Sequence, residues 1–426
     1  MFNTSKIYLI SVLLYSSIIA GFYFGEDSLG GAFNDFLSHG HISDKFRSEF
    51  FNTLLNYDNL GHRHSPIFYI FKSFLPADSF YSRLIFLHIY LLIPFYFYKS
   101  LNLKYPLENK KNLFLISLVI ILFPTFRSYS IWPDPHLMGT LFFTISVYYF
   151  LKFTNSSYNI NYFFLNILFL AISSYFSPNF GIFVIYFLYE FIKLKKGFKE
   201  IFIVLFINFI LSLPFFFYLF VLDINFIFND NGWDIGTNIF SLNNISNKFI
   251  IINSLFLFYL MPFLIFSINY SELYENIIRK FFRFLPLFLI YILFTINFDF
   301  QTSYNLTNSG GGFVYNISQL LFNNNYLLFF IAFLGYIFFA DLFFKNISNL
   351  FLFLALIFSN PQITLWQANY SPLLFIIIFL LFDHNIIKKL VLKKNIVVCF
   401  VYFFIYLLSN IIYKNGINLE KILFFI

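Results

Sequence analysis

The feature that most restricts this chain is the recurrence, from one end to the other, of apolar runs about 20 residues long, the length an α-helix needs to cross the hydrocarbon core of a bilayer. Only short polar intervals separate them. Of the 426 residues 59% are hydrophobic and 11% charged, and the mean hydropathy is +0.75. A soluble protein of this size could bury a large core, but it would not carry so little charge over so many apolar runs. The expected fold class is therefore all-α: a polytopic transmembrane helical bundle of about 13 spans forming a single integral membrane domain.

The 73 Phe and 31 Tyr accompany heavy use of Ile, Asn and Lys, the pattern of an AT-rich coding bias. Most of these aromatics read as lipid-facing and packing residues rather than as a ligand cage. The single Cys399 excludes an internal disulfide, a CxxC redox pair and a thiolate zinc cluster. No HExxH pattern accompanies the seven His, so a zinc protease is not indicated.

In chain order the expected spans cover about 6–24, 79–98, 112–126, 135–151, 161–175, 179–192, 201–222, 249–268, 284–297, 326–343, a stretch reaching 359, then 372–382 and 395–413. The first lacks a small-residue cleavage site and reads as a retained anchor. Ser177-Pro178 makes a tight hairpin between two of the spans, since proline cannot continue a helix. No soluble domain is expected before or after the membrane region.

The net charge of +7 taken alone would point to nucleic acid, but its placement argues otherwise. Lys99, Lys104, Lys110 and Lys111 share one short loop; Lys193, Lys195, Lys196 and Lys199 share another. Arg279, Lys280 and Arg283 make a third group, and Lys388, Lys389, Lys393 and Lys394 a fourth. All four fall on one side if the runs between them cross, and the positive-inside rule makes that side cytoplasmic. The basic residues are topology signals, and no nucleic-acid partner is implied.

The extracytoplasmic intervals then include the long polar stretch after the first span, within a loop covering 25–78. It gathers Glu26, Asp27, Asp35, Asp44, Glu49 and Asp58 with Arg47, Arg63, His39, His41, His62 and His64. Phe46, Phe50, Leu54 and Tyr57 recur at helical spacing between charges, the pattern of an interfacial amphipathic helix. The apolar stretch 66–75 is too short to span and reads as re-entrant or interfacial. A carboxylate beside the membrane can serve as general base for an incoming hydroxyl or amine, and nearby cations can hold a phosphate leaving group. Asp27, at the end of a rigid helix, is the expected base.

Three stretches together resemble the GT-C superfamily of integral membrane glycosyltransferases, in the branch of aminoarabinose transferases and protein O-mannosyltransferases. They are the acidic pair Glu26-Asp27, the run His62-Arg63-His64-Ser65-Pro66-Ile67-Phe68-Tyr69, and the third-span exit Arg127-Ser128-Tyr129-Ser130-Ile131-Trp132-Pro133-Asp134. The likeness spans roughly the first 150 residues and the late turn Gln367-Ala368-Asn369-Tyr370-Ser371-Pro372, which lacks the Arg often found before that Tyr. It implies inverting transfer of a sugar from a polyprenyl-phosphate donor to an extracytoplasmic glycan, lipid or protein acceptor. It further implies catalytic roles for Asp27, its neighbour Glu26 and Asp134, and substrate binding by Arg63, His62, His64, Arg127 and Tyr370. No cofactor is required; a divalent metal held by His62, His64 and Asp27 is an alternative without a defined ligand spacing.

Each residue also has a plainer role. Asp27 could be a solvated residue at a membrane exit, Asp134 a helix cap, and Arg63 and Arg127 interfacial anchors. Gly310-Gly311-Gly312 reads as a hinge in a loop over the site. The second function class is a transporter or flippase of lipid-linked glycans, which would call for ionisable residues at mid-span and repeated halves. A polymerase of oligosaccharide units would place its large catalytic loop late, whereas the charged loop here is early. A bacterial inner membrane is the expected location, with the site on its extracytoplasmic face.

Overall fold

Proline and polar punctuation divide the apolar runs into helices whose lengths the hydropathy alone does not convey. The computed structural model describes residues 4–60, 65–194, 197–220, 241–264, 281–300, 310–360, 365–383 and 393–414. Among these every regular element is helical, and the only pairing of strand type is an isolated bridge between Gly310 and Trp366.

The helices are α1 (Thr4–Phe24), α2 (Ala32–Ser48), α3 (Phe50–Leu55), α4 (Ile67–Ser73), α5 (Ser79–Tyr90), α6 (Leu92–Lys104), α7 (Lys110–Leu118), α8 (Pro124–Ile131), α9 (Pro135–Asn155) and α10 (Ile160–Phe176). They continue with α11 (Phe183–Lys193), α12 (Phe198–Phe220), α13 (Leu242–Leu264), α14 (Phe281–Ile296), α15 (Gly312–Phe322), α16 (Tyr326–Lys345), α17 (Ile347–Ser359), α18 (Leu373–Leu380) and α19 (Lys393–Lys414).

A helix lies at each expected span; among the described residues six are long and apolar enough to cross a membrane, or seven if a bent pair counts as one span. The chain is thus all-helical with about six or seven candidate membrane-spanning helices among its described residues. The remaining apolar runs form shorter helices, among them Ile160–Phe176, Ile347–Ser359 and Gln367–Leu380.

The bent pair corrects the expected course of the third span. The third span does not run straight to a surface exit: after a 3-10 turn at Val119–Leu122 the chain breaks at Phe123 and turns by 66° into α8. Phe123 is extended (φ −77°, ψ 125°) because the Pro124 ring disfavours helical backbone in the residue before it, while proline itself starts a helix well. Every residue of α8 is buried, so Arg127 to Ile131 lie inside the protein.

The amphipathic face in the first loop is likewise divided and turned inward. The helix stops at Glu49 (φ −141°, ψ 62°) and restarts as α3. Phe46 and Tyr57 are buried, with α2 packed on α4 rather than laid open to lipid.

At the bundle centre α13 is buried over nearly its whole length, whereas α12 buries only Val204 and rides on the outside. Phe123, Tyr259, Phe375 and Phe403 pack ring on ring around this centre, Phe123 lying 4.8 Å from Phe403 and 5.1 Å from Phe375. One end of the bundle gathers residues expected inside: Lys111 Nζ donates to Thr4 Oγ1 at 3.0 Å, and Lys104 Nζ donates to the carbonyls of Leu380 (2.7 Å) and Phe382 (2.9 Å). The opposite end carries the first-loop helices and their carboxylates.

Candidate active site

The site is founded on the way α1 ends. Gly25 (φ 66°) closes the helix, Gly25 N donating to Phe22 O at 3.3 Å and Glu26 N to Gly21 O at 2.8 Å, the paired bonds of a Schellman motif. This turns the Glu26 carboxylate back onto α1, where Arg127 grips it by two parallel bonds, from Nε to Oε1 at 2.7 Å and from Nη2 to Oε2 at 2.5 Å. Arg127 also donates from Nη1 to Ser17 Oγ (3.0 Å) and from Nη2 to Ser17 O (2.9 Å). A Cβ at position 21 would stand 2.3 Å from Glu26 Oε2, so only glycine leaves room for the pair against the helix. Ser128 on α8 and Trp132 just after it complete the clamp: Leu29 N donates to Ser128 Oγ at 2.8 Å, and Trp132 Nε1 donates to Glu26 O at 3.1 Å. The two early stretches that carry the family resemblance thus meet in space.

Asp27 follows directly. Its carboxylate accepts from Gly30 N (2.9 Å), Gly31 N (2.8 Å) and Phe33 N (3.2 Å). Gly30 (φ 77°) and Gly31 (φ 136°) adopt the positive φ that lets the chain curl around that carboxylate. Asp27 thereby satisfies amides at the start of α2, and the partial positive charge of the helix end favours it there. The clamp and this turn fix where α2 begins, and with it the Asp35, Phe36 and His39 positions.

Across from α2, Asp134 caps α9: its Oδ1 accepts from His136 N at 2.7 Å and its carbonyl accepts from Tyr90 Oη at 3.0 Å. The carboxyl is buried. Burial pushes it up to about 7, the Asp35 charge pushes in the same direction, and the His136 amide partly offsets them. Tyr69 on α4 stands in the same field, its phenol held well above the usual range first by burial and then by Tyr57, Asp134 and Asp35. Tyr129 on α8 feels Asp134, Asp35 and Asp27 together. His39 packs edge-on to Tyr69, with ring centres 5.6 Å apart. The result is a buried carboxyl poised near neutrality, within the field of the exposed Asp35 carboxylate and of the Tyr69 and Tyr129 phenols.

Two cations adjoin it that the sequence reading did not single out. Lys72 is buried, its amine 4.1 Å from the Phe36 ring centre. Burial brings Lys72 down to about 8, Asp44 opposing and Arg47 adding to the effect. Arg83 lies over Trp132 at 3.6 Å and Phe22 at 4.8 Å, with Phe36 at 6.0 Å. A signal existed for both: each is a charge inside an otherwise apolar run, which marks function more often than a charge in a loop does. Lys414, at the end of α19, completes this end of the molecule, its amine within the field of Asp27.

Of the other expected site residues, His62, Arg63 and His64 lie outside the described residues. Arg127 is engaged by Glu26 and Ser17, an arrangement that organises the first loop instead of offering donors to a phosphate. The late turn does come close: the His136 imidazole neighbours the Asn369 backbone, and its Nδ1 lies 3.3 Å from Ser177 Oγ in the hairpin. Tyr370, expected to bind substrate, is fully buried. The three glycines form no loose hinge: Gly311 (φ 75°) and Gly312 (φ 85°) begin α15, Gly311 N donating to Leu365 O (2.7 Å) and Phe313 N to Gln367 Oε1 (2.7 Å). Among the described residues, no three His, Cys, Asp or Glu side chains are grouped to hold a metal ion. No family model matches the chain, and no curated protein or solved structure is significantly similar to it.

Proposed function

We propose that this protein is an integral membrane glycosyltransferase. It moves a sugar from a polyprenyl-phosphate donor to a glycan, lipid or protein acceptor on the extracytoplasmic side of a bacterial inner membrane, with inversion at the anomeric carbon. The observation that carries this reading is Asp134, a buried carboxyl brought to about 7 at the end of the bundle where Asp35 and the first-loop helices converge. A general base works best when its pKa lies near the working pH. Asp27, whose oxygens both accept from backbone amides, suits a positioning role better than a proton-accepting one.

In the proposed step, the Asp134 carboxylate takes the proton of the acceptor hydroxyl or amine as the acceptor atom bonds to the anomeric carbon. The bond from that carbon to the phosphate oxygen breaks on the opposite face, and its electron pair leaves on the lipid phosphate. The phenols around Asp134 exclude water, which protects the donor from hydrolysis. The long apolar helices are consistent with a membrane-bound enzyme that takes a lipid-linked donor. The transporter reading has less support: the bundle centre is aromatic, and the buried Glu26–Arg127 pair sits at one end.

The test is transfer of radiolabelled sugar from polyprenyl-phosphate donors by the purified chain in reconstituted vesicles, with the product's anomeric configuration read by NMR. The reading expects transfer with inversion. Retention of configuration, or translocation of the donor without any transfer, would sink it.

A further inference from the structure

Lys72 and Arg83 pose an electrostatic problem that the proposed chemistry leaves open. Both cations lie within 6.0 Å of the centre of one ring, Phe36. Three carboxylates of the first loop are engaged elsewhere: Asp27 with backbone amides, Glu26 with Arg127, and Asp44, whose charge also reaches Lys72, with Arg47 at 2.6 Å. Among the described residues, neither Lys72 nor Arg83 makes an ion pair. Lys72 is 7% exposed. Arg83 uses Nε to bond the Ile131 carbonyl at 2.7 Å, and its Nη2 is buried without a hydrogen-bond partner. Buried charge without a counter-ion is costly, and ring faces offset only part of that. A protein keeps such a pair where an anion arrives to complete it.

The setting indicates where that anion comes from. Arg83 sits at the start of the second turn of α5, and α5 runs beside α1: Tyr15 Oη lies 3.1 Å from His88 Nε2, and Phe22 packs on Phe80 at 5.3 Å. Tyr23, Phe24, Phe74 and Tyr81 stand exposed around this end of the two helices, as aromatic side chains do at the edge of a bilayer. An anion reaching Lys72 and Arg83 from between α1 and α5 would therefore carry apolar chains along that rim.

We propose that Lys72 and Arg83 form an anion subsite that takes the phosphate group of a lipid entering from the membrane at the α1–α5 edge. Trp132 and Phe22 flank the guanidinium, whose Nη2 has no hydrogen-bond partner in the protein, and Lys72 supplies the second charge. Only the identification of this lipid as the sugar donor rests on the glycosyltransferase reading; binding itself does not.

The experiment measures binding of farnesyl phosphate, dioleoylphosphatidylglycerol and inorganic phosphate to the purified full chain in neutral detergent. Wild type is compared with Arg83→Gln, Lys72→Met and the double variant. Lipid phosphate is expected to bind wild type, and each single change should weaken it about 10- to 100-fold, the effect of losing one charge-assisted hydrogen bond. Ligand-free Lys72→Met should melt no lower than wild type, because it loses a buried charge without an ion-pair partner. Farnesyl phosphate binding that is equal in all four proteins overturns the subsite. Inorganic phosphate binding as tightly as the lipids overturns the membrane source. Variants that lose binding only by unfolding at lower temperature overturn the claim that the cations are held for a ligand. If binding behaves as expected while no sugar is ever transferred, the subsite stands and the glycosyltransferase reading falls.

Discussion

At Asp134, burial and a neighbouring carboxylate act in the same direction, and the consequence extends beyond catalysis. With its folded pKa at about 7 against roughly 3.9 for an exposed aspartate, the folded chain holds a proton that the unfolded chain has released. The stabilising contribution is fully present below about pH 4 and is lost as the pH rises through about 7, by at most about 1.4 kcal/mol per pH unit. Thermal unfolding in detergent between pH 5 and 8 should show Asp134→Asn gaining on wild type as the pH rises; parallel curves would mean that the carboxyl is not perturbed. Sequence alone suggested both readings of this residue. Its place after Pro133 marked it as a cap, which it is. Its burial beside Asp35 depends on residues about 100 positions away, and no local pattern carries that information.

At the level of elements, the junction of α1, the first loop and α8 hangs on one ion pair. Removing one partner of a buried pair leaves the other unpaired and typically costs about 3–5 kcal/mol. Glu26→Ala and Arg127→Ala should each lower the melting temperature more than the Glu26→Ala/Arg127→Ala double variant does; simple additivity would contradict the pairing. Gly21→Ala should lower it by less than either single variant, because its Cβ shifts the Glu26 carboxylate but leaves both charges present. The break before Pro124 could be read from the sequence, since proline restricts the residue before it. That Arg127 would lie within the protein could not, because hydropathy reports a segment's tolerance for lipid and not the direction in which it bends. Lys72 and Arg83 escaped notice for a related reason: the rings around them come from positions 22, 36 and 132, which are distant in the chain.

For the molecule as a whole, the alternation of apolar runs with basic and acidic intervals placed each end of the bundle correctly: Lys104 and Lys111 gather at one, Asp27, Asp35 and Asp134 at the other. Where a span bends was less legible: the 66° turn before Pro124 divides a run that hydropathy counts as continuous. The orientation predicted from the positive charges can be tested cleanly, because the single Cys399 is buried. A membrane-impermeant maleimide applied to intact cells should label Leu37→Cys, exposed on α2, and leave Leu107→Cys, exposed at the basic end, untouched. The reverse pattern would put the carboxylates in the cytoplasm and remove the basis for an extracytoplasmic donor. The most direct test of the central claim is single-turnover sugar transfer from a polyprenyl-phosphate donor by wild type, Asp134→Asn and Asp27→Asn at equal folded yield. The account predicts that Asp134→Asn loses about 100-fold or more of the transfer rate while still binding donor, and that Asp27→Asn retains measurable transfer. Transfer at the wild-type rate by Asp134→Asn would contradict it.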